Sequence, residues 1–77
     1  MENGLITVLL EVTNRGFMKK VVFAVEDDED IRQLYDIALN SAGLEVECFE
    51  NSTKLFSRLE TKMPDIFLLD IMLDWLD

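Results

Sequence analysis

Two apolar runs in this chain each end in carboxylates, and that pairing restricts the fold more than any other feature. Val21-Val22-Phe23-Ala24-Val25 runs directly into Glu26 and Asp27, and Ile66-Phe67-Leu68-Leu69 runs into Asp70. Apolar stretches without polar alternation suit strands covered on both faces, the environment of a parallel sheet. Parallel strands need a crossover between them, and the intervening sequence supplies helical patterns.

Asp28 is placed to cap a helix, with Glu29 and Asp30 favourable against its dipole. Ile31, Leu34, Tyr35, Ala38, Leu39 and Ala42 follow at helical spacing as one apolar stripe. Gly43 stops this helix as a left-handed residue, and Leu44 folds back on its last turn. In Glu45-Val46-Glu47-Cys48-Phe49, acids alternate with smaller apolar residues, which predicts a strand with one wet face or a charged position at the sheet edge. Asn51 or Ser52 caps a second helix with Leu55, Phe56, Leu59 and Met63 inward, and Pro64 ends it. A third strand runs from Asp65 to Asp70.

Strand, helix, strand, helix, strand implies right-handed crossovers and an α/β fold. With the charged second strand at an edge, the sheet order of these three is 2-1-3, a flavodoxin-like arrangement whose crevice opens between strands 1 and 3. Glu26, Asp27 and Asp70 all fall at that crevice. Carboxylates crowded there repel, so without a cation one of them stays protonated, whereas Mg²⁺ makes the crowding favourable. The spacing predicts a hard-cation site with phosphoryl chemistry at Asp70.

Composition narrows the partners. The formal charge is −9 with only seven Lys and Arg, which argues against a nucleic-acid surface. A single cysteine, Cys48, and no histidine leave no internal disulfide and no zinc site of the Cys/His type, consistent with a reduced, cytoplasmic setting. Cys48 reads as a small core hydrophobe. Leu5-Ile6-Thr7-Val8-Leu9-Leu10 is far shorter than the roughly 20 residues a spanning helix needs, and Glu2 replaces a basic signal-peptide start, so no membrane partner is expected.

Residues 1–17 read as an N-terminal extension of unknown role, and Met18 as a candidate natural start. The extension is either an added upstream segment or an ordinary extra strand. The third strand is apolar on both faces yet would form a bare edge of a three-stranded sheet. Together with the stranded end Leu73-Asp74-Trp75-Leu76-Asp77, this predicts a truncated domain over residues 18–77, with marginal stability or self-association through the open edge.

Lys20 to Arg32, with its Val25-Glu26-Asp27-Asp28 core, followed by a helix closed at Ala42-Gly43, resembles the opening of a response-regulator receiver domain of bacterial two-component systems. Pro64-Asp65-Ile66-Phe67-Leu68-Leu69-Asp70-Ile71-Met72-Leu73 is similar to that family's third strand and the start of its following loop. The resemblance covers roughly residues 19–77. It implies that Asp70 is the phospho-accepting aspartate, that Glu26 and Asp27 hold Mg²⁺ with it, and that the Met72 backbone carbonyl completes the metal shell. The implied partner is a sensor histidine kinase or phosphotransfer protein, and the implied role is that of a phosphoryl acceptor, not an enzyme. Two departures bear on it: Asp74 stands where the family usually has proline, and counterparts of the family's later Ser/Thr and Lys are missing, which predicts impaired phosphorylation. The alternative is a non-signalling fragment acting through its open sheet edge. An aspartate-nucleophile phosphatase is disfavoured because Met72 stands where the second aspartate of that class's Asp-x-Asp pattern belongs.

Overall fold

The computed structural model describes the backbone of residues 5–12 and 19–72, with side chains described within 7–12 and 19–70. Residues 13–18, with Met18, and the end from Leu73 to Asp77 with Trp75 lie outside the described residues.

The two apolar runs are strands. Val21–Val25 forms β2, and Ile66–Met72 forms β4, after a first strand β1 over Leu5–Glu11. Helix α1 spans Glu29–Ser41, β3 spans Glu45–Phe49, and α2 spans Ser52–Leu59. The sheet order is β1-β4-β2-β3, with β2 parallel to both β3 and β4. The three strands expected from sequence therefore stand in the expected 2-1-3 order, with β2 in the middle and the acid-bearing β3 at an edge.

The fourth strand corrects one expectation. β4 does not present a bare edge, because β1 pairs with it antiparallel over its whole length, from Leu5 opposite Met72 to Glu11 opposite Ile66. An apolar strand with unpaired N–H and C=O groups seeks a neighbour, and Leu5–Glu11 provides one. The basis for self-association through that edge is thereby removed. The same pairing carries β4 two residues beyond its expected end at Asp70, so Ile71 and Met72 are strand and not the opening of a loop.

Local signals place the helices. The Asp28 carboxylate accepts from the Asp30 and Ile31 amides at 2.8 and 3.2 Å, and Asn51 Oδ1 accepts from the Lys54 amide at 2.9 Å. Gly43 has φ +87°, and the Gly43 and Leu44 amides donate back to Asn40 and Leu39 carbonyls at 3.0 Å each, closing α1 in a Schellman motif. Helix α2 stops at Leu59, well before Pro64, because Thr61 and Lys62 turn back to the Arg58 carbonyl.

Alternation along β2 and β4 builds a core on each face. Val22, Ala24, Ile66 and Leu68 meet Tyr35, Leu39, Leu44, Val46 and Cys48 on the α1 side. Val21, Phe23 and Leu55 meet Val25, Phe49, Leu59, Phe67 and Leu69 on the α2 side, where the Phe23 and Phe49 rings stack edge-on at 5.1 Å. The expected inner faces of the helices hold in part. Leu34 is 63% exposed, Phe56 64% and Met63 62%, and Ile31 and Ala38 are also exposed. Among the described residues each helix lies alone on its sheet face, so only the line of residues nearest the strands is covered.

Candidate functional site

Register creates the site. Val22 pairs with Ile66 and Val25 with Leu69, so the next residues along, Glu26 and Asp70, leave the parallel pair side by side at its carboxyl end. Strand periodicity puts both on the α1 face, in line with Val22-Ala24 and Ile66-Leu68. Glu26 is buried, Asp70 is half-buried, and the two carboxyl groups lie close enough to shift each other's ionisation.

Hydroxyl donors converge on Asp70 from two elements. Thr7 of β1, its register partner, donates from Oγ1 to Oδ1 at 2.6 Å, and Tyr35 of α1 donates from its hydroxyl to Oδ2 at 3.0 Å. Asp70 is held below the usual carboxylate range, first by the Thr7 hydroxyl and, against the opposing effect of burial, by Glu26 and Tyr35. Glu26 is pushed up, first by burial and then by the neighbouring Asp70 carboxylate. Of the two, Glu26 is the one whose charged form is disfavoured, the direction that crowding of carboxylates without a cation produces. Burial, then the bond to Asp70, pushes the Tyr35 phenol up to about 12, so it stays a donor.

The loop after β2 is fixed by backbone contacts. Glu26 Oε1 accepts from the Asp28 amide at 3.2 Å, and Arg32 Nη1 reaches back from α1 to the carbonyls of Glu26 at 2.8 Å and Asp27 at 3.1 Å. This clamp leaves Asp27 exposed beside Glu26. The structure therefore brings Glu26 and Asp70 together and sets Asp27 at Glu26's flank. Among the described residues no group of three or more acidic, Cys or His side chains is gathered closely enough to hold a metal ion, so the expected three-carboxylate cluster is not assembled. Met72 lies in β4 opposite Leu5, not in a loop beyond the strand end. Hard oxygen donors of this type suit Mg²⁺, which usually takes one or two carboxylates and keeps several waters.

Tyr35 and Thr7 are site residues that sequence reasoning missed. Tyr35 was counted as one of an apolar stripe, and Thr7 sat in a segment with no assigned role. Thr7 did carry a signal: it is the one hydrogen-bonding side chain in the run from Leu5 to Leu10.

Comparison with known proteins decides the family. The model of the response regulator receiver domain matches residues 22–77. The chain belongs to that family. The receiver is 39% identical over 57 residues to the DNA-binding transcriptional regulator NtrC of Salmonella typhimurium (strain LT2), an overlap covering 74% of this chain and 12% of that protein. It is 35% identical over 60 residues to the response regulator receiver protein CpdR of Brucella abortus, covering 78% of this chain and 49% of the relative. It is 33% identical over 60 residues to the alkaline phosphatase synthesis transcriptional regulatory protein PhoP of Bacillus subtilis, covering 78% and 25%. The receiver thus spans half or less of the length of each of these relatives. No solved structure gives a significant match. The matched residues begin within β2, so β1 and its Thr7 lie outside the family match.

Proposed function

We propose that this receiver accepts a phosphoryl group on Asp70 from a histidine kinase or phosphotransfer protein. The juxtaposition of Asp70 with Glu26 at the carboxyl end of the parallel pair β2 and β4 carries this reading. An Asp70 oxygen attacks phosphorus in line. A new P–O bond forms while the donor's P–N bond, or the P–O bond of a small acyl phosphate, breaks, and the bonding pair leaves with the imidazole or carboxylate. The chain is consumed stoichiometrically and is not a turnover enzyme.

Glu26 and Asp70 would hold Mg²⁺, with Asp27 and the Met72 carbonyl as the further ligands that the family resemblance suggests. When bound, the cation supplies charge neutralisation at the phosphoryl oxygens. This chain's residues do the rest. Burial and the register fix Glu26 against Asp70, the Arg32 clamp fixes the loop carrying Asp27, and Tyr35 orients the Asp70 carboxyl from the helix side. Preorganised positions of this kind are the main lever available in phosphoryl transfer.

Among the described residues no helix is long and apolar enough to cross a membrane. Adding Mg²⁺ and beryllofluoride, a phosphoryl mimic, to labelled protein tests the reading. Amide shifts around Asp70 and Glu26 are expected in the wild type and not in Asp70→Asn, and identical spectra with and without the mimic would contradict it.

A further inference from the structure

Asp70 is restrained by a residue that the family match does not include. Thr7 lies directly across the antiparallel ladder from Asp70, and its hydroxyl is 2.6 Å from Oδ1. Tyr35 holds Oδ2 from the opposite element at 3.0 Å, so each oxygen of the proposed nucleophile already carries a hydroxyl donor. A charge-assisted bond to a carboxylate oxygen stabilises the anion and withdraws the electron pair that attack requires. To bond phosphorus, an oxygen held this way must give up or weaken that bond.

The two donors differ in how they are anchored. Tyr35 is half-buried against the core formed by Val22, Ala24, Ile66 and Leu68. Thr7 is exposed and sits on β1, the outer strand of the sheet, paired with β4 alone among the described residues. It is the donor that can leave without disturbing either core. Oδ1 is thus the oxygen whose availability depends on the N-terminal strand.

We propose, on the reading that Asp70 is the phosphoryl acceptor, that Thr7 is a positioning residue whose hydroxyl holds Asp70 in a less reactive resting state, so that β1 sets the rate of phosphorylation. The N-terminal segment acquires a role: it covers the β4 edge and restrains the acceptor through one side chain.

The test compares full-length wild type with Thr7→Val, Thr7→Ser and Asp70→Asn, in acetyl phosphate and Mg²⁺, following label by intact mass. Valine keeps the shape and strand preference and removes the donor, while serine restores the donor. Thr7→Val is expected to label about three- to tenfold faster than wild type, the scale of one charge-assisted hydrogen bond partly replaced by water, and Thr7→Ser at about the wild-type rate. Labelling of Thr7→Val at or below the wild-type rate overturns the proposal. A second readout is the Asp70 carboxyl carbon shift, measured by NMR without phosphodonor. It moves in Thr7→Val and not in Thr7→Ser if the contact exists, and an unmoved signal in both overturns the proposal whatever the labelling. A moved signal with no Asp70-dependent label in any variant overturns instead the acceptor reading, and the restraining role with it.

Discussion

At the scale of single residues, charge in this receiver is placed by burial and by hydroxyl or amide donors. Glu26 and Asp70 shift in opposite directions because one is buried and the other is held by hydroxyl donors. Asp65 shows the same economy in a structural role. It is buried, its Oδ2 accepts from the Val21 amide at 2.8 Å, and its own amide donates to the Val21 carbonyl at 2.8 Å, tying the start of β4 to the start of β2. This pins the register on which the Glu26 and Asp70 meeting depends. Asp65→Ala is expected to lower stability by about 1–3 kcal/mol in urea unfolding, the cost of orphaning a buried amide, with Asp65→Asn closer to wild type because its carbonyl still accepts. Asp70 and Glu26 were legible in the sequence because strand ends announce themselves where an apolar run stops. Asp65 was read only as the first residue of a strand, since nothing in a sequence reveals that a carboxylate turns inward to a neighbouring strand's amide.

At the scale of elements, the acids of β3 were rightly read as an edge signal, but they are not simply wet. Glu47 takes a two-pronged contact from Arg58, Nε to Oε1 at 2.9 Å and Nη2 to Oε2 at 3.2 Å, and Lys62 bridges Glu45 at 2.8 Å and Glu47 at 3.2 Å. These cations belong to α2 and the turn after it, so charge complementarity steers that helix along the edge strand. The Arg58 guanidinium beside Glu47 holds its carboxyl below the usual value of 4.5. A depressed folded pKa means a contribution that is present above about 4.5 and is lost as pH falls through the folded value. Arg58→Met is therefore expected to melt a few degrees lower than wild type at neutral pH, with the gap closing in acid, as calorimetry or circular dichroism would show. The boundaries of α1 and β3 were legible because caps and alternation are local. The reach of α2 was not, since the turn at Thr61 and Lys62 ends it before Pro64 has any effect.

At the scale of the whole molecule, the two helices and four-stranded sheet of the described residues cover less than the apolar pattern supplies. Between α2 and the strands lies an apolar groove of about 400 Å³, lined by Leu10, Val25, Leu55, Phe56, Leu59 and Phe67 among others. On the other face Leu34 and Ile37 are 63% and 64% exposed. Periodicity told which side of each helix is apolar but not how wide a stripe the sheet can reach, because that depends on neighbouring layers. The double change Leu34→Glu with Ile37→Lys is expected to leave unfolding within about 0.5 kcal/mol of wild type. Leu55→Ala, at a buried position, is expected to cost about 2–5 kcal/mol, enough to unfold a domain of this size. Equal losses from both changes would mean that α1 is buried in solution.

The account rests on Asp70 standing at the meeting of β2 and β4 as the reactive carboxylate. The most direct measurement is incubation of the full chain with acetyl phosphate and Mg²⁺, followed by hydroxylamine trapping and peptide mass mapping. The account predicts one Mg²⁺-dependent acyl phosphate, trapped as a hydroxamate at residue 70 and absent from Asp70→Asn. A hydroxamate at another carboxylate, or none at all from protein shown to be folded, would contradict it.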